Sequence, residues 1–269
     1  MNDIKLRKHK LSDWLDNRQA RGIYNFIREE ALKELEMSKV SFDRALGRFS
    51  KKKRIVSVFK GFYLIIPIEY KSWGVLPVDW FISDLMTYLK QPYYAGLLTA
   101  ADYYGASHQK SQVYQVVTDK ALRPVICERI KIKFFVKKDI TLTPVEKRNS
   151  QTGIINISTP EATALDLLRY QNKAVGLNHT LTVLQELGAS IDQKNLVDTA
   201  KLDACAAYAQ RLGWLLEKTE YGAKTSQLAE WVKKQNPVFT KLDPKLPMKG
   251  TEKNDRWRLW INTAVEGDL

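Results

Sequence analysis

Apolar positions in the first sixty-six residues recur with two different periods. Leu11, Trp14 and Leu15 have helical spacing in a polar context, with Ser12 placed to cap, and Gly22 ends that segment. Ile23 to Ile27 reads as a short strand, and Arg28 to Glu36 is built from good helix formers with Ala31, Leu32 and Leu35 as its apolar stripe. Glu36-Met37 is a turn, and Ser38 is a favourable N-cap with Ser41 three residues on. In the next helix, Phe42, Ala45, Leu46 and Phe49 share one face, while Lys39, Val40, Ser41, Arg44 and Arg48 share the other. Ile55 to Phe59 and Phe62 to Ile66 are β-rich runs joined by Lys60-Gly61, a connection short enough for a tight hairpin with glycine at positive φ.

Pro67, Gly74 and Pro77 punctuate the chain after the hairpin, which places a domain boundary near residue 69. Trp80 to Leu89 has near-helical apolar spacing, and Tyr94 to Tyr104, rich in small residues and stopped by Gly105, reads as a buried helix. Gln112 to Thr118, Pro124 to Cys127, Arg129 to Val136 and Ile154 to Ile157 read as strands. Thr159 as N-cap with Pro160 behind it starts a helix through Leu165, Leu168 and Arg169. Helices are predicted over 180–187, 195–202, 204–216 and 226–235, and a last strand over 256–262 joining the same sheet. The expected fold is α/β (α+β): a winged helix-turn-helix over residues 1–68, then a larger mixed α/β domain over 69–269 whose C-terminal part is helical.

Composition narrows the class. At roughly 150 residues per domain, 269 residues suggest two domains. A hydrophobic share of 44% excludes wholesale disorder. The densest apolar run, Phe62 to Ile68, is far short of the ~18 residues of a membrane span. Met1 to Lys10 is polar and basic with no apolar segment behind it, so no signal peptide is expected. Cys127 and Cys205 lack metal-ligand spacing, and His9, His108 and His179 are scattered, so neither a disulfide framework nor a metal centre is expected. A cytoplasmic home is the corresponding expectation.

The net charge of +13 points to a polyanionic partner. Residues 1–66 hold 16 Lys/Arg against 8 Asp/Glu, so a quarter of the chain carries most of the excess. Two helices joined by a short turn and followed by a basic hairpin form a plan in which the second helix enters the major groove of double-stranded DNA. Lys39, Ser41, Arg44 and Arg48 would face base edges, with Ser38 at the helix start. Arg28, the Lys51, Lys52, Lys53 and Arg54 run, and Lys60 would hold phosphates.

Catalytic patterns are scarce. The chain has no phosphate-cradling P-loop, no zinc-protease H-E-x-x-H and no G-x-S-x-G. Asp192-Gln193-Lys194 has a nuclease-like spacing, but Asp192 precedes a helix and reads as its N-cap. No catalytic residue, cofactor or metal is assigned.

Several blocks carry a resemblance. They are Phe26 to Ala31, Ser38 to Ser41, Arg44-Ala45-Leu46, Lys53 to Val56 and Gly61 to Pro67. The second domain adds Tyr93-Tyr94-Ala95 with Ala100-Ala101 and Gly105-Ala106-Ser107-His108, Ser158 to Asp166, and Arg256 to Leu259 with Asn262 and Val265-Glu266. Together they resemble AbiEi-type antitoxins of the abortive-infection, type IV toxin–antitoxin systems. Ile27 departs from that pattern, which more often has a capping Thr there. The resemblance implies an N-terminal domain that binds inverted repeats in its own promoter and represses it, as a monomer in solution or a weak dimer on DNA. It implies a C-terminal domain that neutralises a nucleotidyltransferase-like toxin, with His108, Glu161 and Asp166 in its recurrent blocks. A ligand-sensing winged-helix regulator and a DNA-directed nuclease or transferase are the alternative readings.

Overall fold

In a computed structural model of the chain, residues 11–106, 111–174, 176–248 and 251–267 are described. The fold is mixed α and β. The first unit runs α1 (Leu11–Ala20), β1 (Asn25–Ile27), α2 (Arg28–Glu34), α3 (Lys39–Lys51), β2 (Ile55–Phe59) and β3 (Phe62–Ile65). The strands form a three-stranded antiparallel sheet in the order β1-β3-β2. Gly61, at φ +82°, makes the hairpin turn as its position requires. α2 begins at Arg28 with no side-chain cap from Ile27.

The second unit opens with short 3-10 turns at Ile68–Tyr70 and Val78–Trp80, then α4 (Ile82–Tyr88), β4 (Tyr93–Ala95) and α5 (Leu97–Tyr103). It continues with β5 (Tyr114–Thr118), β6 (Val125–Cys127), β7 (Ile130–Val136), β8 (Val145–Ser150), β9 (Gly153–Ser158) and α6 (Pro160–Arg169). Helices α7 (Gly176–Leu187), α8 (Gln193–Asp203), α9 (Ala206–Leu216) and α10 (Ser226–Gln235) come next, and β10 (Thr240–Lys241), β11 (Glu252–Asn254) and β12 (Leu259–Ile261) close the chain. The main sheet has the order β6-β7-β5-β4-β9-β8; β5 and β7 run parallel, as do β4 and β9.

Strand alternation sends neighbouring residues of this sheet into two different cores. Tyr94, Val117 and Phe135 pack with α6, α7 and α9 on one face. Ala95, Val116, Ile132, Ile155 and Ile157 pack on the other, against Leu76, Phe81, Leu85 and Met86. That second core does not stop at residue 69. It takes in Val58, Phe62, Leu64 and Ile66 of the hairpin, whereas Phe26, Phe42, Leu46 and Ile65 form a separate core under α1–α3. The small sheet is therefore buried on both faces.

Two expectations are corrected. Tyr94 to Tyr104 is not one helix. Its first residues are β4, paired with β5 and β9 in the middle of the sheet, and the chain turns at Gly96 into α5. A Cβ on Gly96 would lie 3.0 Å from both Tyr94 and Val117, so any side chain here would press on both and glycine eases the start of the helix this close to the sheet. The C-terminal strand does not join the main sheet. β12 pairs with β10 and β11 in a sheet of its own, seated on α9 where the Trp257 ring covers Gly213. β8 has no counterpart among the predicted strands because Val-Glu-Lys-Arg-Asn-Ser is an edge strand, where charge replaces the apolar alternation.

Candidate functional site

The cationic face of α3 is built by its cap and its core. The Ser38 hydroxyl accepts from Ser41 N–H at 3.3 Å and donates to Ser41 Oγ at 3.0 Å, which starts the helix. Phe42, Ala45 and Leu46 are buried on one side, so Lys39, Val40, Ser41, Arg44 and Arg48 face solvent on the other. Lys39, Arg44, Arg48, Lys51, Lys52, Lys53 and Lys60 are exposed and make no ion pair with a described residue. The structure treats the other two cations differently. Arg28 is paired with Asp43 at 2.6 Å, and Arg54 is paired with Asp16. Their guanidinium groups are thus already occupied within the first unit. The helix ends with Lys53 at φ +52°, where Arg54 N–H bonds Phe49 C=O and Lys53 N–H bonds Ser50 C=O, each at 2.9 Å. This is a left-handed C-cap made by lysine instead of glycine.

The hairpin turn is not free. Tyr88 Oη donates to Lys60 C=O at 2.9 Å, and a Cβ at Gly61 would meet that same phenol at 2.6 Å. Asn25 Nδ2 reaches Asp84 Oδ2 at 2.6 Å, and the Tyr24 and Trp80 rings are 5.3 Å apart. The second unit therefore holds the first at its strand side and leaves the exposed side of α3 open.

A second constellation lies where β7, α6 and α8 meet. Lys137, just past β7, places Nζ 3.1 Å from Asp166 Oδ1 and 3.1 Å from Asp203 Oδ1. Arg169 Nη2 is 2.7 Å from Asp203 Oδ1, and its guanidinium lies over the Tyr208 ring at 4.7 Å. Tyr94 Oη donates to Asp166 Oδ2 at 2.5 Å. Asp166 is fully buried, and burial pushes its carboxyl above the ordinary range although Lys137 opposes the shift. Burial first, and the Asp166 charge second, hold the Tyr94 phenol well above its usual value. Lys137, Arg169 and Asp203 of this group line a cleft of about 300 Å³ whose wall also includes the exposed side chains of Val136, Leu142 and Leu202. Two cations face two carboxylates, so the arrangement is a charge lock that ties β7, α6 and α8 together.

Of the residues expected at the second-domain site, Asp166 is in this lock. Glu161 is elsewhere: its Oε1 accepts from Asp192 N–H at 2.9 Å, tying the first turn of α6 to the start of α8. Asp192 in turn caps α8 through Lys194 N–H and Asn195 N–H, the role expected of it. His108 lies outside the described residues. Lys137, Asp203, Arg169 and Tyr94 do not stand out as site residues in the sequence. In the sequence Tyr94 figures only within the Tyr93-Tyr94-Ala95 block, Arg169 only as a helix residue and Lys137 only in a Lys-Lys pair after a predicted strand. Among the described residues no group of three His, Cys, Asp or Glu could hold a metal.

Comparison with known proteins agrees with this architecture. No curated protein matches the sequence. The crystal structure of the RV2827C protein from Mycobacterium tuberculosis is similar at a TM-score of 0.65 and 13% identity, covering 96% of this chain and 91% of that one, a likeness of fold. Residues 94–218, which contain the main sheet from β4 to β9, α6 to α9 and the whole charge lock, match the sequence model of the AbiEi antitoxin C-terminal domain. Over these residues the match supports reading the chain as an AbiEi-type antitoxin.

Proposed function

We propose that this protein is an antitoxin that also represses its own operon, in the manner of a type IV abortive-infection system acting in the cytoplasm. Residues 11–66 act as a winged helix on inverted repeats of the promoter, and the remainder neutralises a nucleotidyltransferase-like toxin. The observation that carries the DNA half is the exposed face of α3, where Lys39, Arg44 and Arg48 stand without acidic partners among the described residues, above a helix fixed by its own core. The hairpin turn and the Lys51 to Lys53 cluster extend that positive surface toward phosphates. Arg28 and Arg54 join them only by exchanging Asp43 and Asp16 for phosphate.

For neutralisation, Asp166 acts by holding Lys137 and Arg169 at the cleft, and Glu161 by fixing the start of α6, since both carboxylates are buried. The full-length Arg44→Ala/Arg48→Ala variant tests the division of labour. Operator affinity falls at least a hundredfold while rescue of cells expressing the adjacent toxin persists. Loss of both activities in a folded variant defeats the proposal. If about six phosphates are contacted, log K falls with log salt at a slope near −5, and the double variant is shallower by about 2.

A further inference from the structure

We propose that the cavity between residues 70–79, α5 and the start of β7 binds a nucleotide, with the base on Trp73 and the phosphates on Arg129 and Lys131. The cavity has a volume of about 780 Å³, and Trp73, Asp102, Tyr103, Tyr114, Arg129 and Lys131 are in its wall. It is separate from the charge lock and from α3, and the inference rests on neither.

Three features of the wall set the ligand class. The first is Trp73, whose side chain is 55% exposed and is covered by a single guanidinium, that of Arg129, at 5.8 Å from the ring. A flat, exposed indole beside a cation is a stacking platform for a base. The second is a buried carboxylate oxygen, Asp102 Oδ1, that has no hydrogen-bond partner among the described residues. Asp102 Oδ2, by contrast, accepts from Ser111 N–H at 3.0 Å. An unsatisfied carboxylate oxygen calls for a donor such as the exocyclic amine of adenine. The third is charge. Burial first and the Asp79 charge second push the Tyr103 phenol up to about 12, with a smaller push from Asp102, whereas Arg129 sits on the indole. Acids and cations are thus segregated within one cavity.

A nucleotide answers all three features. Its ring stacks, its amine meets the acidic end and its phosphates meet the basic end. A simple amine leaves Arg129 and Lys131 unanswered, and a free phosphate leaves Trp73 and Asp102 unanswered. The surrounding sequence is suited to such an anion, for residues 110–150 hold ten Lys/Arg against four Asp/Glu. The nucleotide could come from solution or from a single-stranded RNA, since the recognition chemistry is shared.

The test uses the full chain, with tryptophan fluorescence and calorimetry on titration with ATP, UTP, adenosine, inorganic triphosphate and an oligoadenylate of about eight nucleotides. Saturable quenching by ATP is expected, with UTP several-fold weaker for lack of the exocyclic amine. Trp73→Ala and Arg129→Ala each weaken ATP binding about tenfold or more, Trp73→Phe retains it, and Asp102→Asn erases the preference for ATP over UTP. Thermal unfolding of each variant establishes that it is folded. Tighter binding of the oligoadenylate, in competition with ATP, assigns the site to a strand; binding of ATP alone assigns it to a free nucleotide. Triphosphate binding as tightly as ATP, indifference to Trp73→Ala, or no saturable response to either nucleotide or RNA overturns the proposal.

Discussion

Two lysines show how single residues in this chain serve conflicting demands. Lys53 occupies a left-handed backbone conformation that costs an L-residue roughly 1–2 kcal/mol and that glycine adopts freely. Its retention there places a cation at the end of α3. Lys53→Gly is therefore expected to stabilise the fold by about 0.5–1 kcal/mol in urea unfolding while weakening operator binding. A variant that is less stable than the parent would contradict the cap geometry. Lys137 is the reverse case. It is buried between Asp166 and Asp203, so Lys137→Met leaves two carboxylates facing each other with only Arg169 to answer them. Breaking a buried ion pair on one side costs ~3–5 kcal/mol. A loss below about 1 kcal/mol at neutral pH would show that the lock carries little of the fold's stability.

At the scale of elements, the three-stranded sheet of the first unit is the junction of the molecule. Ile65 faces the core under α1–α3, while Phe62, Leu64 and Ile66 face the core of the main sheet. Removing residues 1–68 strips Val58, Phe62, Leu64 and Ile66 from Leu76, Phe81 and Leu85. The fragment from residue 69 onward is expected to unfold at a lower temperature and to aggregate, because the uncovered patch is apolar. An unchanged melting temperature would mean that the shared core contributes nothing. The same junction makes separation of the two activities a task for point substitutions on α3, such as those at Arg44 and Arg48, and not for truncation.

Over the whole molecule the common electrostatic theme is a set of phenols wholly or partly withdrawn from water. Tyr94, Tyr103, Tyr104, Tyr114 and Tyr170 all lie above the ordinary tyrosine value, with burial the leading cause in each. A raised folded-state value means that the stabilisation is complete below the unfolded value near ~10 and is lost as pH rises toward the folded value. Unfolding free energy should thus fall progressively above about pH 10. Absorbance titration should show these phenols ionising late, together with loss of structure. Early, reversible ionisation of all twelve tyrosines in folded protein would refute their burial.

Local patterns determined a good part of this protein. The apolar face of α3, the Ser38 cap, the tight Lys-Gly hairpin, the Thr159-Pro160 helix start and the Asp192 cap were all legible, because each depends on neighbours within a few residues. The blocks resembling AbiEi antitoxins were legible for the same reason, and the match over residues 94–218 bears out the part carried by the blocks around Tyr94 and from Ser158 to Asp166. What only the tertiary structure decided involves distant partners. Tyr94 belongs to a strand because β5 and β9 pair on either side of it, overriding the helical look of a small-residue segment. β12 leaves the main sheet because its own partners are β10 and β11. The charge lock joins Tyr94, Lys137, Asp166, Arg169 and Asp203, residues spread over more than a hundred positions, and ion pairs leave no period in a sequence. Arg28 and Arg54 read as open cations in the sequence, and the fold brings Asp43 and Asp16 to them, since Coulombic pairing depends on distance in space and not on separation along the chain.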